Sequence, residues 1–358
     1  MRRRGALFLP ALLLAGAVSI GAASPEPAAR RNAGPPRDML VVLNKSDNTA
    51  SVLDATTGKS LATLPTGVGP HEVTILPGGR VAVVSNYGTR EAPGRSLTLI
   101  DLAKLAMAGT IILPDGSRPH GLAAVSAEKL LVTAEGRKEL LVVEPLARRL
   151  GSTIPLGKEV SHMVVVSPDG KRAYVANIGS GSVTVVDVDA GSVLTDIPTG
   201  AGAEGIDIRP GGAEVWVANR EANTISVIDT SRNALAATIP AAEFPIRVKF
   251  TPDGRRALVS CAKSGDVIVF DAAARKEIRR ISMDREAVPG SETRLFSTRF
   301  GKSPTPVGIL VSADGKRAWV ASTNADVVSE IDLQKMEVVR RLTAGKEPDG
   351  LAGVFRAR

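Results

Sequence analysis

"GVGPHEVTILPGG", residues 67–79, sets His71 between a proline and a run that reads as a buried strand. The chain has three histidines, and His120 and His162 occupy the same local context as His71. Extended along the chain, that marker position falls next on Glu204, Ile246, Val307 and Asp349, with successive spacings of 49, 42, 42, 42, 61 and 42. Three neutral imidazoles with carboxylates beside them suit Zn²⁺, Cu²⁺ or Fe²⁺, whereas oxygen-preferring Ca²⁺ is disfavoured. The candidate metal ligands are therefore His71, His120, His162, Glu204 and Asp349. Two other roles are open to these histidines: packing against backbone at a rim, and general-base chemistry without a metal. Which applies depends on whether the fold brings them together.

The elements that must position them are short strands. "SPDGKRAYVANIGSGSVTVVDVDAGSVLTDIPTGAGAEGIDIRPGG" is followed by a second copy of the same pattern, "AEVWVANREANTISVIDTSRNALAATIPAAEFPIRVKFTPDG". Each unit has a base period of 42 residues and four strands, with "PGG", "PDG" or "ADG" supplying the glycine that tight hairpins need. Helical periodicity is weak. Strands at this density predict an all-β, seven-bladed β-propeller over residues 39–358. The phase at the ends closes the ring: "LVVL" at 40–43 is a second strand, and "PDGLAGVF" at 348–355 is a first strand with no unit after it. The C-terminal strand is expected to join the N-terminal blade and remove the open sheet edge. Seven-fold geometry sets the marker residues about 51° apart around one channel mouth. The five candidate ligands then fall in consecutive blades, opposite Ile246 and Val307.

Other residues read as structure. Asp54, Asp101, Glu144, Asp187, Asp229, Asp271 and Asp332 end the third strand of each unit, where an acid can accept the N–H groups of its own turn. Cys261 replaces the asparagine of Asn44, Asn86, Asn177 and Asn219, and reads as a small buried thiol. Two insertions, 85–96 and 282–306, are expected on the same face as the marker ring, where long loops serve as lids or specificity elements or as tolerated surface insertions.

Composition narrows the class. The chain of 358 residues is 44% hydrophobic and 23% charged, enough to bury a core. Residues 1–23 read as a signal peptide, with Arg2, Arg3 and Arg4, an apolar run and small residues before a cleavage point near Ala23. An uncleaved anchor is the alternative, and both the general secretory and twin-arginine routes are open. Residues 24–38 read as a flexible linker, so the expected localisation is periplasmic or secreted. Without the first 23 residues the net charge falls from +8 to +5, spread along the chain with no basic stripe. That, with 3% aromatics, argues against nucleic acid. The lone cysteine excludes an intrachain disulfide. No Gly-x-Ser-x-Gly elbow or phosphate-cradling loop occurs.

"VLNKSDNTASVLD", "VANIGSGSVTVVD" and "VANREANTISVID" resemble the YVTN-type, lactonase-like β-propeller repeat, and the resemblance covers essentially residues 39–358. It implies the fold and leaves the activity open, since relatives include lactonase-like enzymes, the copper propeller of nitrous oxide reductase, haem d1 propellers and surface-layer modules. Three histidines are too few for that copper cluster, and no Cys-x-x-Cys-His for haem attachment occurs.

The functional expectation is a monomeric extracytoplasmic propeller with a divalent metal, Zn or Cu, or a ligand at the channel mouth. It would act as a metal-dependent enzyme, a lactonase-like hydrolase or an oxidoreductase. The alternative is a non-catalytic propeller that binds a protein, glycan or small-molecule ligand on that face, with no transmembrane segment once the signal is removed.

Overall fold

The computed structural model describes residues 38–284 and 297–356. Among these residues the alternating apolar pattern forms twenty-eight strands in seven antiparallel four-stranded sheets. Blade 2 is typical: its strands are Pro70–Ile75, Val81–Gly88, Pro93–Asp101 and Ala106–Ile112, running outward from the channel. The innermost strands of blades 3 to 7 are Pro119–Ala124, Ser161–Val166, Ala203–Ile208, Pro245–Phe250 and Pro306–Val311.

Blade 1 closes the ring as expected. Pro348–Val354 is its innermost strand and pairs antiparallel with Met39–Asn44, from Met39 opposite Val354 to Asn44 opposite Pro348. Each innermost strand also touches the next around the ring, including Pro348–Val354 against both Pro70–Ile75 and Pro306–Val311. The pairing covers the edge of Met39–Asn44 that would otherwise be open, which is the vulnerability that closure removes.

Among the described residues the core is not one cluster but eight: seven lie between neighbouring blades, and a smaller one lies at one end of the channel. Val41, Leu43, Val52, Val84 and Ile100 fill the space between blades 1 and 2. Trp216, Val227, Phe250, Val259 and Phe270 fill that between blades 5 and 6, and Leu40, Val42, Trp319 and Leu342 join blades 7 and 1. Burying both faces of each sheet explains why second and third strands read as near-continuous apolar runs.

The repeated polar positions hold the turns. Asp54, Asp101, Asp187, Asp229, Asp271 and Asp332 accept N–H groups two or three residues onward at 2.7–3.2 Å, while Glu144 meets Arg149 at 2.5 Å. The Asn219 side-chain amide donates to Thr224 and Ser226 at 3.0 and 2.9 Å across the hairpin. Cys261 is fully buried at the matching position, and burial pushes its thiol up to about 12, so it is an unreactive core group.

Candidate metal centre at the channel mouth

The marker residue is the second residue of each innermost strand rather than the residue before it. The residue preceding it pairs with the end of the second strand in every blade: Pro70 with Asn86, Pro119 with Ala134, Ser161 with Asn177, Ala203 with Asn219. The residue after each of those ends must then stand beside a marker side chain. This gives a second ring of Lys45, Tyr87, Glu135, Ile178, Arg220, Ala262 and Thr323.

The two rings match in character. Lys45 lies 3.5 Å from Asp349, and Asp349 lies 3.3 Å from His71 Nδ1. Tyr87 stacks on His71 with ring centroids 5.1 Å apart. Glu135 binds His162 Nδ1 through Oε1 and accepts the Tyr87 hydroxyl through Oε2 at 2.6 Å. Arg220 donates to Glu204 at 2.6 Å, and Glu204 Oε1 stands 3.3 Å from His162 Nε2. Ala262 packs with Ile246 and Val307.

The three imidazoles are gathered as a row centred on His120, whose ring centroid is 3.5 Å from that of His162 and 4.4 Å from that of His71. One ligand atom each from His120, Glu135 and His162 all lie within 4.8 Å of one another. Glu204 and Asp349 flank the row, each tied to a cation as well as to a histidine. Glu135 was not among the sequence candidates. Its signal was available: it directly follows the position occupied elsewhere by Asn44, Asn86, Asn177, Asn219 and Cys261.

A third tier lies one residue deeper. Blades 1, 3, 5 and 7 carry Gly350, Gly121, Gly205 and Gly308 there, and a Cβ would meet the neighbouring strand's carbonyl oxygen at 2.1–2.6 Å. Blades 2 and 6 instead carry Glu72 and Arg247, which meet across the bore at 2.5 Å. Arg247 also reaches Glu204 Oε1 at 3.4 Å. This ion pair forms the floor of the imidazole site. On its far side the channel opens into a cavity of about 430 Å³, lined by strands from all seven blades and including Glu72, Arg247, Asp207 and Lys249.

On the opposite side the site is covered. The residue two before each marker is left-handed, with φ of 49–76°, and five of the seven are not glycine: Arg118, Val160, Phe244, Thr305 and Glu347. Such a conformation costs an L-residue about 1–2 kcal/mol. At two of them the turn sends a large side chain over the mouth. Arg118 lies over the Tyr87 ring at 4.9 Å and donates to the Thr89 and Arg90 carbonyls, clamping the 85–96 insertion. Phe244 packs against Phe300 of the 282–306 insertion at 4.8 Å, and Phe300 joins the cluster over Ile246 and Val307. Both insertions thus contribute to the marker face; residues 285–296 lie outside the described residues.

Burial decides the protonation states. Exposure is 0% for His120 and 7–8% for His162 and His71. Burial, then the neighbouring positive groups, holds His71 and His120 well below the ordinary 6.5. Burial acts the same way on His162, but Glu135 and Glu204 outweigh it and raise its value. Burial would raise Glu204, yet the close contact with His162 and the charges of Arg220, His162 and Arg247 bring it to about 2. Neither nitrogen of His120 has a hydrogen-bond partner, and His71 Nδ1, His162 Nε2 and Asp349 Oδ1 also lack an aligned one. Buried nitrogens are ordinarily satisfied, so a row of imidazoles with orphaned lone pairs fits a cation as the missing partner.

A sequence-family profile described as YNCE-like beta-propeller matches residues 164–293. No curated protein matches the chain. Among solved structures, hydrazine synthase of Kuenenia stuttgartiensis is similar with a TM-score of 0.65 at 20% identity over 78% of this chain and 88% of that one. A functionally unknown protein from Desulfotomaculum acetoxidans gives 0.72 at 14% over 89% and 99%. The dihydro-heme d1 dehydrogenase NirN in complex with DHE gives 0.64 at 17% over 92% and 79%. At these identities the likeness is one of fold. The partial family match and the closed ring agree on one description: the chain is a seven-bladed β-propeller repeat protein.

Proposed function

We propose that this protein is an extracytoplasmic propeller with a resident divalent metal, Zn²⁺ or Cu²⁺, held at the channel mouth by His71, His120 and His162. The single observation that carries this reading is His120, completely buried with both ring nitrogens unpartnered. Glu135 and Asp349 face the Nδ1 atoms of His162 and His71. The Glu135 hydrogen bond orients the His162 ring and leaves its Nε2 as the coordinating atom, the carboxylate–histidine arrangement typical around metal ligands, while Asp349 lies 3.3 Å from His71 Nδ1 without an aligned bond. Glu204 stands near enough to His162 Nε2 to share the ion. When bound, the metal would supply Lewis acidity or, as copper, a redox centre.

The chain's own residues confine that chemistry. Arg247 and Glu72 block the bore beneath, and Tyr87 and Arg118 limit water above. Of the lactonase-like and oxidoreductase activities suggested by the repeat, both would draw on this centre. No helix among the described residues is long and apolar enough to cross a membrane, and the proposed export signal lies outside them. Metal analysis of tag-free protein before and after reconstitution tests the reading: about one ion per chain supports it, and metal-free protein after exposure to Zn²⁺ and Cu²⁺ overturns it.

The second reading, a non-catalytic ligand-binding propeller, is favoured by one feature, the cavity of about 430 Å³ on the far side of the Arg247–Glu72 pair. Its size suits a small molecule. Ligand-induced stabilisation that survives chelation and loss of the histidines would favour it.

A further inference from the structure

We propose that Tyr87 is a positioning residue that fixes the tautomer of His162 and so presents its Nε2 lone pair to the metal. This rests on the metal-centre reading above.

The geometry is a relay of donors into one carboxylate. Glu135 has two oxygens, and each is used: Oε2 accepts the Tyr87 hydroxyl at 2.6 Å, and Oε1 faces His162 Nδ1. A neutral phenol can only donate to a carboxylate, which locks the plane of Glu135. With that plane fixed and Oε1 able only to accept, His162 must carry its proton on Nδ1. Its other nitrogen, Nε2, then faces the site beside Glu204 Oε1 at 3.3 Å, without an aligned hydrogen bond.

Tyr87 is also held on its own account. Its ring stacks on His71 at an interplanar angle of 22° and meets His120 edge-on with centroids 5.5 Å apart. Arg118 covers it, and the Arg118 carbonyl accepts the Glu135 backbone N–H at 3.3 Å. One side chain therefore touches two imidazoles directly and the third through Glu135. The corresponding residues in the other blades are Lys45, Glu135, Ile178, Arg220, Ala262 and Thr323, so the phenol is confined to the blade of His71.

The test is Tyr87→Phe, which keeps the ring and removes one hydroxyl. Co²⁺ binding to metal-free protein should weaken by about 10–100-fold, the usual effect of losing a partner behind a metal ligand. Melting of the metal-free protein should move by only about 2–4 °C, the cost of one hydrogen bond. The readout that mere packing would not move is the His162 Nδ1 proton in the NMR spectrum of the metal-free protein. It should be protected from exchange in wild type and broadened in Tyr87→Phe. Wild-type Co²⁺ affinity with an unchanged Nδ1 resonance in the variant would overturn the proposal. If wild type bound no Co²⁺, the metal reading would fail, and the Nδ1 resonance in the two metal-free proteins would still decide whether Tyr87 positions His162.

Discussion

Blades 1 to 5 and blades 6 and 7 share one backbone and differ in what they place at the mouth. On the first arc, Asp349, His71, His120, His162 and Glu204 stand beside Lys45, Tyr87, Glu135 and Arg220, and charge or hydrogen bonding joins neighbours. On the second, Ile246 and Val307 pack with Ala262, Phe244 and Phe300 into a dry cluster. The repeat thus supplies seven equivalent pegs, and chemistry arises where the symmetry is broken. The deeper tier makes the same point, because glycine in four blades gives way to Glu72 and Arg247 where a bar crosses the channel, and to Met163 in blade 4.

The comparison can be broken most severely at its boundary. Deleting residues 348–358 removes Asp349 and the strand that joins blade 1 to itself, exposing the edge of Met39–Asn44. The loss should approach the whole stability margin of an ordinary domain, about 5–15 kcal/mol. Chemical denaturation of the truncated chain would check it, and a midpoint near that of the full-length protein would contradict ring closure.

On the apolar arc, Phe300→Ala should cost about 3 kcal/mol in thermal or urea unfolding, as for other buried aromatic truncations. Its effect on metal content should be nil, since Phe300 touches Phe244 rather than the imidazoles. Loss of metal from this variant would show that the two arcs are not separable.

The polar arc makes a smaller, pH-dependent contribution in metal-free protein. His71 and His120 titrate below 6.5 when folded, so the unfolded chain takes up more protons there as pH falls. Stability from these two is full above pH 6.5 and is lost on acidification, by up to about 1.4 kcal/mol per proton per pH unit. His162 is raised, so its contribution is full below 6.5 and is lost as pH rises through its folded value. Together these groups place a maximum near pH 6.5, measurable as melting temperature against pH in chelator. Glu204, at about 2, contributes fully above pH 4.5 and loses that contribution as the pH falls from there toward 2. A profile that rises steadily through pH 8 would contradict the raised value of His162. The smallest effect expected is Cys261→Ala, which removes one buried atom far from the polar arc and should cost about 1 kcal/mol by the same denaturation.

The ring and the gathering of the histidines were legible because a repeat converts sequence spacing into angular position. Spacings of 42 residues put His120, His162 and Glu204 in successive blades whatever the details of the loops. The depth of the site was less legible. His71 reads as a rim residue until the end of the strand bearing Tyr87 and the left-handed turn at Arg118 are folded over it. Glu135 escaped notice because its partner, His162, is in the next blade, and reading one unit at a time does not reveal contacts between units. The Arg247–Glu72 bar is separated by 175 positions and crosses the bore, so only the closed ring joins it.

The central claim is that a cation completes His120. Replacing His120 with leucine removes two unpartnered buried nitrogens and keeps an apolar volume, so the claim separates stability from metal. In chelator, His120→Leu should melt at or above the wild-type temperature, because an unsatisfied buried polar group is costly. After reconstitution with Zn²⁺ or Cu²⁺, wild type should hold about one ion per chain and melt higher, while His120→Leu should hold none and not shift. A wild type that takes up no metal, or a variant that takes it up equally, would contradict the account.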